Sequence, residues 1–388
     1  MSARRAAVVT VALAALLGAC ADTPLVVPPN TGAPTSTAAP SATAAPGAGQ
    51  APGASPVPAA PTAPPATAQP ATSPEATAAP SGRVLDLGDG AATTLTVSPV
   101  DQRAVVTLVG SGSGSAATVQ VNPDTAAVAT RSTVTGSPRA AVPSTDRSGL
   151  VLADPSSGLV GVALPSGSDT NAPQGAPTGP QALAVGPAGE LLVAATGVAG
   201  DARREAAGVD VDGSLTVLRD GRAAGRVGGL GRPVAIAVAG DRVAVLDTAR
   251  NVVHLVDLAT LREQTSVPAG DGPTGVTIDR HGRLLVTDTR AGVIRRYDLS
   301  GQSPAPLAPI QLGASTAPYG TAYDATTDRL WVTLTGTDRL VAVDLSSVDQ
   351  PRVVLDLATI AQPDLIALGT GRVYVASPRT GQLQITLA

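Results

Sequence analysis

One pattern in this chain is written several times over, and that repetition limits what the chain can fold into. RPVAIAVAGDRVAVLDTARNVVHLVDL (232–258), GPTGVTIDRHGRLLVTDTRAGVIRRYDL (272–299) and APYGTAYDATTDRLWVTLTGTDRLVAVDL (317–345) align from end to end. Each has a proline near its start, a short apolar run and a tight turn in which Asp or Gly precedes Arg. A second apolar run, a polar turn and a third run closing on Asp-Leu follow. Weaker copies occupy 93–122, 137–164, 179–197 (resuming at Gly213) and 362–388. Copies recur roughly every 40–50 residues, the period of a propeller blade. The runs are short, rich in Val, Leu, Thr and Ile, and bounded by turn residues, which marks them as strands. Period and strand count specify four-stranded blades, so seven copies specify an all-β, seven-bladed β-propeller spanning 83–388.

The ends of that span carry a closure signal. The last copy stops at Ala388 after its third strand, one strand short of a blade. RVLDL (83–87) precedes the first copy and matches RVVLDL (352–357), the outer strand of the sixth. Residues 83–87 are therefore expected to complete the last blade, pairing the two ends of the span in one sheet and protecting its edges. VLDTARNVVHLVDL, LVTDTRAGVIRRYDL and LWVTLTGTDRLVAVDL resemble the repeats of bacterial propellers of the NHL and YVTN type, and the resemblance runs from Arg83 to Ala388. It implies a binding scaffold or, in some members, a lyase or hydrolase.

Before the repeats lie two segments of different composition. MSARRAAVVTVALAALLGACAD has a basic start, an apolar stretch (6–17) short for a bilayer span, and Leu17-Gly18-Ala19-Cys20. This resembles the lipobox of bacterial lipoproteins. The resemblance implies a signal peptide over 1–19, a lipidated Cys20 and an anchor on the extracytoplasmic face of the cell membrane. Two acyl chains on one cysteine suffice for stable anchoring. The alternative is an ordinary cleaved signal peptide in which Cys20 is incidental. Residues 20–82 are dominated by Pro, Ala and Thr with almost no charge, and such a segment cannot bury enough apolar surface to offset its ordering entropy. A disordered tether is expected, whose Thr-Pro density also suits O-glycosylation.

A net charge of −4 disfavours nucleic acid as a partner, since that needs a basic face. A single cysteine rules out an internal disulfide or a zinc-type Cys/His cluster. Charges that recur from copy to copy are expected to serve the blade. These include Asp279-Arg280-His281-Gly282-Arg283, with its counterparts at Asp241-Arg242, Asp328-Arg329 and Gly371-Arg372, and the strand-end carboxylates Asp154, Asp247 and Asp288. His254 and His281, the two histidines, fall in a strand and in a turn of the next copy, so a shared metal is not expected.

Charges that break the repeat point to function. Aligning the copies brings Thr93, Arg139, Gln181, Val234, Thr274, Tyr319 and Asp364 to one level near the start of the first strands. One carboxylate among seven is a poor calcium site, because a hard cation wants six to eight oxygens. Arg139, Gln181, Tyr319 and Asp364 are instead candidates for a binding face. The third copy adds an insertion (197–213) that gathers Asp201, Arg203, Arg204, Glu205, Asp210 and Asp212 beside that level. The expectation is a monomeric, lipid-anchored, non-catalytic binding module without cofactor or metal. Its ligand would be an envelope protein, a glycan or a small molecule. The alternative is a lyase or lactonase working at the channel mouth.

Overall fold

The computed structural model describes residues 68–75, 78–110, 115–170, 173–199 and 212–388. They form 28 strands in seven four-stranded antiparallel sheets, arranged as a closed ring of blades. The innermost strands, one per blade, are β2 (Ala91–Val97), β6 (Ala140–Pro143), β10 (Pro180–Val185), β14 (Pro233–Ala239), β18 (Pro273–Ile278), β22 (Pro318–Asp324) and β26 (Leu365–Gly369). They begin blades 1 to 7 in that order.

The seventh blade is closed as the sequence requires. β1 (Arg83–Asp86) pairs antiparallel with β28 (Gln382–Leu387), joining Arg83 to Ile385 and Asp86 to Gln382. Leu87 follows it into the core between blades 7 and 1, against residues such as Val106, Tyr374 and Leu383.

Burial explains the strand compositions. Second strands lie between neighbouring blades on both faces, so GLVLAD, LLVAA and RLLVTD are buried throughout and read as unbroken apolar runs. Outer strands such as REQTSVP and APLAPIQ are mostly exposed, and their charges and prolines blunt an edge that could otherwise pair with another chain. The apolar core divides into seven clusters, each at a seam between adjacent blades. With no Phe in the chain, these seams are built from Val, Leu and Ala, with Trp331 and Tyr374 the largest fully buried side chains.

Loops leading into the first strands and turns joining second to third strands share one side of the ring, the mouth face. The packed body begins before Gly82. Ala68 is already buried, residues 68–75 contact mouth-face loops of blades 5 to 7, and Ser81 bonds to Ala358 and Gln384 in the seam of blades 6 and 7.

Candidate functional site

The recurring charges are consumed by the blades. Asp247 accepts backbone N–H groups from Arg232 (2.9 Å) and Ala249 (2.8 Å), and Asp288 accepts from Gly272 (3.1 Å). Each thereby fixes its blade's leading loop to the end of its second strand. Gly231 and Gly270, both at positive φ, leave room for those carboxylates, which a Cβ would overlap. The same relative position on the third strand supplies a basic side chain to each. His254, opposite Val245, lies 3.4 Å from Asp247 and 2.8 Å from Glu263. Arg295, opposite Val286, lies 2.8 Å from Asp288. Burial pulls the His254 pKa down, but its hydrogen bonds to Asp247 and Glu263 outweigh that and hold it above the usual histidine value. Burial raises the Asp247 carboxyl, and its contacts with His254, Arg232 and Ala249 more than offset it, leaving the pKa lowered.

On the opposite side of the ring, turns between first and second strands bolt neighbouring blades together. Asp279 accepts the N–H groups of His281 and Arg283, each at 2.9 Å, and pairs with the Arg283 guanidinium at 2.5 Å. Arg283 then reaches into blade 6 and donates to the Leu345 carbonyl (2.7 Å), while Arg242 makes the equivalent bond from blade 4 to Leu299. His281 (2.7 Å) and Arg280 (3.2 Å) cross the same seam to Asp328, which also accepts from the Tyr323 hydroxyl (2.7 Å). His254 and His281 thus serve different carboxylates. Among the described residues no group of three His, Cys, Asp or Glu side chains could hold a metal ion.

The rim of the channel is built differently. In five of the seven innermost strands the register slips near the start of the strand, at Thr93, Gln181, Val234, Thr274 and Tyr319–Gly320. Arg139 and Asp364 immediately precede the paired residues Ala140 and Leu365. A β-bulge re-aims one side chain, and here it does so in five of the seven blades, at one level of the innermost strands. The level inferred from aligned copies is therefore a structural ring.

The ring does not assemble its polar members into one cluster. Arg139 of blade 2 donates to the Gln181 Oε1 of blade 3 at 3.5 Å, and Gln181 donates in turn to the Gly179 carbonyl (3.3 Å). Tyr319 of blade 6 and Asp364 of blade 7 are electrostatic neighbours on a second arc. Blade 1, with Thr93, separates the arcs on one side, and blades 4 and 5, with Val234 and Thr274, on the other.

Asp364 is 8% exposed, and its Oδ1 has no hydrogen-bond partner. Burial pushes its pKa up to about 7, against the lowering effect of a Gln362 hydrogen bond and with help from the Asp338 charge. Burial and the Asp364 carboxylate push Tyr319 up to about 12. Near neutral pH such a carboxyl can hold or release a proton, or accept a bond from a cationic group.

Cys20 and the insertion residues Asp201, Arg203, Arg204, Glu205 and Asp210 lie outside the described residues. Asp212, just beyond them, accepts the Gly229 N–H (3.0 Å) and ties the entry of the third strand of its blade to the exit of the fourth. Sequence reasoning missed Asp338, whose position carries Asn251 and Gly292 in the neighbouring blades. All three adopt a left-handed backbone, which marks a turn and gives no hint of the carboxylate's second use.

The chain matches no protein-family model and no curated protein. It is similar in structure to a chain described as Kuenenia stuttgartiensis hydrazine synthase, with TM-score 0.62 and 15% identity over 78% of this chain and 97% of that one. It is also similar to the β-propeller domain of Myceliophteria thermophila Cps50 (Swd1), with TM-score 0.56 and 14% identity over 77% of this chain and 96% of that one. At such identities these likenesses establish the propeller fold and nothing narrower.

Proposed function

We propose that this is an exported propeller of the NHL and YVTN type, lipid-anchored through Cys20, that binds an envelope component at its channel mouth without catalysis. The observation that carries the reading is the contrast between two sets of polar residues. The recurring Asp and His side chains are engaged in contacts within and between blades, and Arg283 leaves one guanidinium nitrogen buried without a partner, whereas Asp364, which breaks the repeat, is the one carboxylate among the described residues that keeps a buried oxygen without a partner. A polar group left so is costly unless a ligand or water meets it. Arg139 with Gln181 offers a permanent positive charge on one arc of the mouth, and Asp364 with Tyr319 an ionisable one on another. A ligand bearing groups of both signs is the match.

In-cell cross-linking of the full chain, followed by recovery of the adduct, tests this. The intact chain should capture a partner, and the pair Arg139→Ala with Asp364→Ala should not. Capture that survives the pair places the binding surface elsewhere. Cys20→Ala should move the protein out of the membrane fraction; retention there contradicts the lipid anchor.

A second reading rests on the Asp364 pKa of about 7, which suits a general acid or base. It makes the protein a lyase or lactonase. One of the similar structures is itself described as a synthase. Turnover of ester or lactone substrates that disappears in Asp364→Asn would favour this reading over simple binding.

A further inference from the structure

The stretch ahead of the closing strand sits on the propeller as a bound peptide would. Residues 68–75 read AQPATSPE, in no helix or strand, with prolines at 70 and 74. Ala68 is 2% exposed and lies against the leading loop of blade 5, where a Cβ on Gly272 would come within 3.1 Å of its own. The Ala71 N–H donates to Thr335 Oγ1 (3.0 Å) in blade 6. Ser73 Oγ donates to Asp338 Oδ1 (2.8 Å) and accepts the Gln362 N–H of blade 7 (2.6 Å). Further on, the Ser81 carbonyl accepts from Gln384 (2.6 Å).

Two of these contacts are exceptions to the repeat. Thr248 and Thr335 close their leading loops by donating to the Arg232 and Ala317 carbonyls, but Thr335 also serves as an acceptor for another segment. Asp338 stands where blades 4 and 5 have Asn251 and Gly292, and its carboxylate gathers both Ser73 and the Gln362 N–H. Asp338 also joins blade 6 to the Gln362 N–H of blade 7, as Asn251 joins blade 4 to the Asp271 carbonyl of blade 5, so what answers to the segment is the Ser73 bond to Asp338 and the acceptor use of Thr335.

We infer that the mouth face of blades 5 to 7 is a peptide-binding surface for extended segments carrying small residues, proline and a hydroxyl, and that residues 68–75 occupy it in cis. Gly272 admits only a small side chain opposite it, Thr335 reads a backbone N–H, and Asp338 with Gln362 reads a hydroxyl as acceptor and donor at once. A partner would enter by presenting a segment of the same chemistry and displacing the chain's own. A short link raises the effective concentration of the resident segment to about millimolar, so even a weak peptide stays docked in cis. Neither Arg139 nor Asp364 is hydrogen-bonded to the segment, but Asp364 shares Gln362 and the Asp338 charge with it, so the peptide readout of the deletion and of Ala68→Leu, which alter neither residue, separates this inference from the proposed use of Asp364.

The test uses the full chain and a labelled synthetic peptide covering 66–77. In a full chain lacking only 68–75, fluorescence anisotropy should show saturable binding in the high-micromolar to millimolar range. Binding should be at least tenfold weaker to the intact chain, and lost when the deletion is combined with Asp338→Ala. Ala68→Leu in the otherwise intact chain guards against misfolding of the deletion. The larger side chain should be expelled from opposite Gly272, speeding hydrogen exchange at the Ala71 amide at least tenfold and admitting the peptide. Equal peptide signals from the intact and deleted chains, or unchanged Ala71 exchange in Ala68→Leu, would overturn the inference.

Discussion

Asp279 and Asp364 are both buried carboxylates on the same propeller, one on each side of the ring, and they are treated in opposite ways. Asp279 is met by two backbone N–H groups and a guanidinium that goes on to grip the next blade. Asp364 is met by little, keeps one oxygen unpartnered, and is pushed toward the neutral form. The first belongs to a motif that recurs and the second stands alone on its ring. In a repeat protein, recurrence marks what each unit needs to join its neighbour, and a departure that leaves a polar group unsatisfied marks what the unit does not need for folding.

The largest expected effect concerns the ring that both residues share. Deleting 83–87 removes the four β1–β28 pairings and Leu87 from the seam between blades 7 and 1, and should lower the melting temperature by more than about 10 °C in calorimetry. Deleting 22–66 should leave it unchanged within about 2 °C. Equal shifts would mean that closure does not depend on β1.

The next effect probes the recurring side of the comparison. Arg283→Ala strands Asp279 and opens the bond to Leu345, so urea unfolding should show a loss of about 3–5 kcal/mol, the usual cost of breaking a buried pair. A loss below about 1 kcal/mol would deny these turns their joining role.

A smaller effect sharpens the comparison through pH. The His254 pKa is raised in the folded protein, so its contribution is fully present below the ordinary value of 6.5 and fades as pH rises through the folded value. His254→Gln should therefore cost stability at pH 5.5, by about 1 kcal/mol, and less at pH 9. A cost that does not diminish at high pH would show that the charge on His254 contributes nothing.

How much of this was legible in the sequence follows from the same logic. Strand order, blade number and the RVLDL closing strand could be read because each is set by apolar period and turn residues that recur. The ring through Thr93, Gln181 and Tyr319 could be found by alignment, although the bulge at that level of the strand could not. Two things were hidden. Asp328 receives His281 and Arg280 across a seam between blades, and no spacing within one repeat encodes a contact with the next. The docking of 68–75 was hidden because Pro, Ala and Thr composition describes what a segment can bury by itself, and here the loops of three blades provide the surface.

The account turns on whether Asp364 is kept at the expense of stability, as a binding group would be. Its pKa is near 7 folded and 3.8 in the reference state, so stability should fall as pH rises from about 4 to about 7 and stay reduced above that. Asp364→Asn removes the ionisation with little change in shape. The decisive measurement is the unfolding free energy of Asp364→Asn against the unaltered chain at pH 8. The account predicts a gain of about 2–4 kcal/mol that vanishes at pH 4. A loss of stability at pH 8 would contradict it, and would place Asp364 with Asp279 among the residues that hold the ring together.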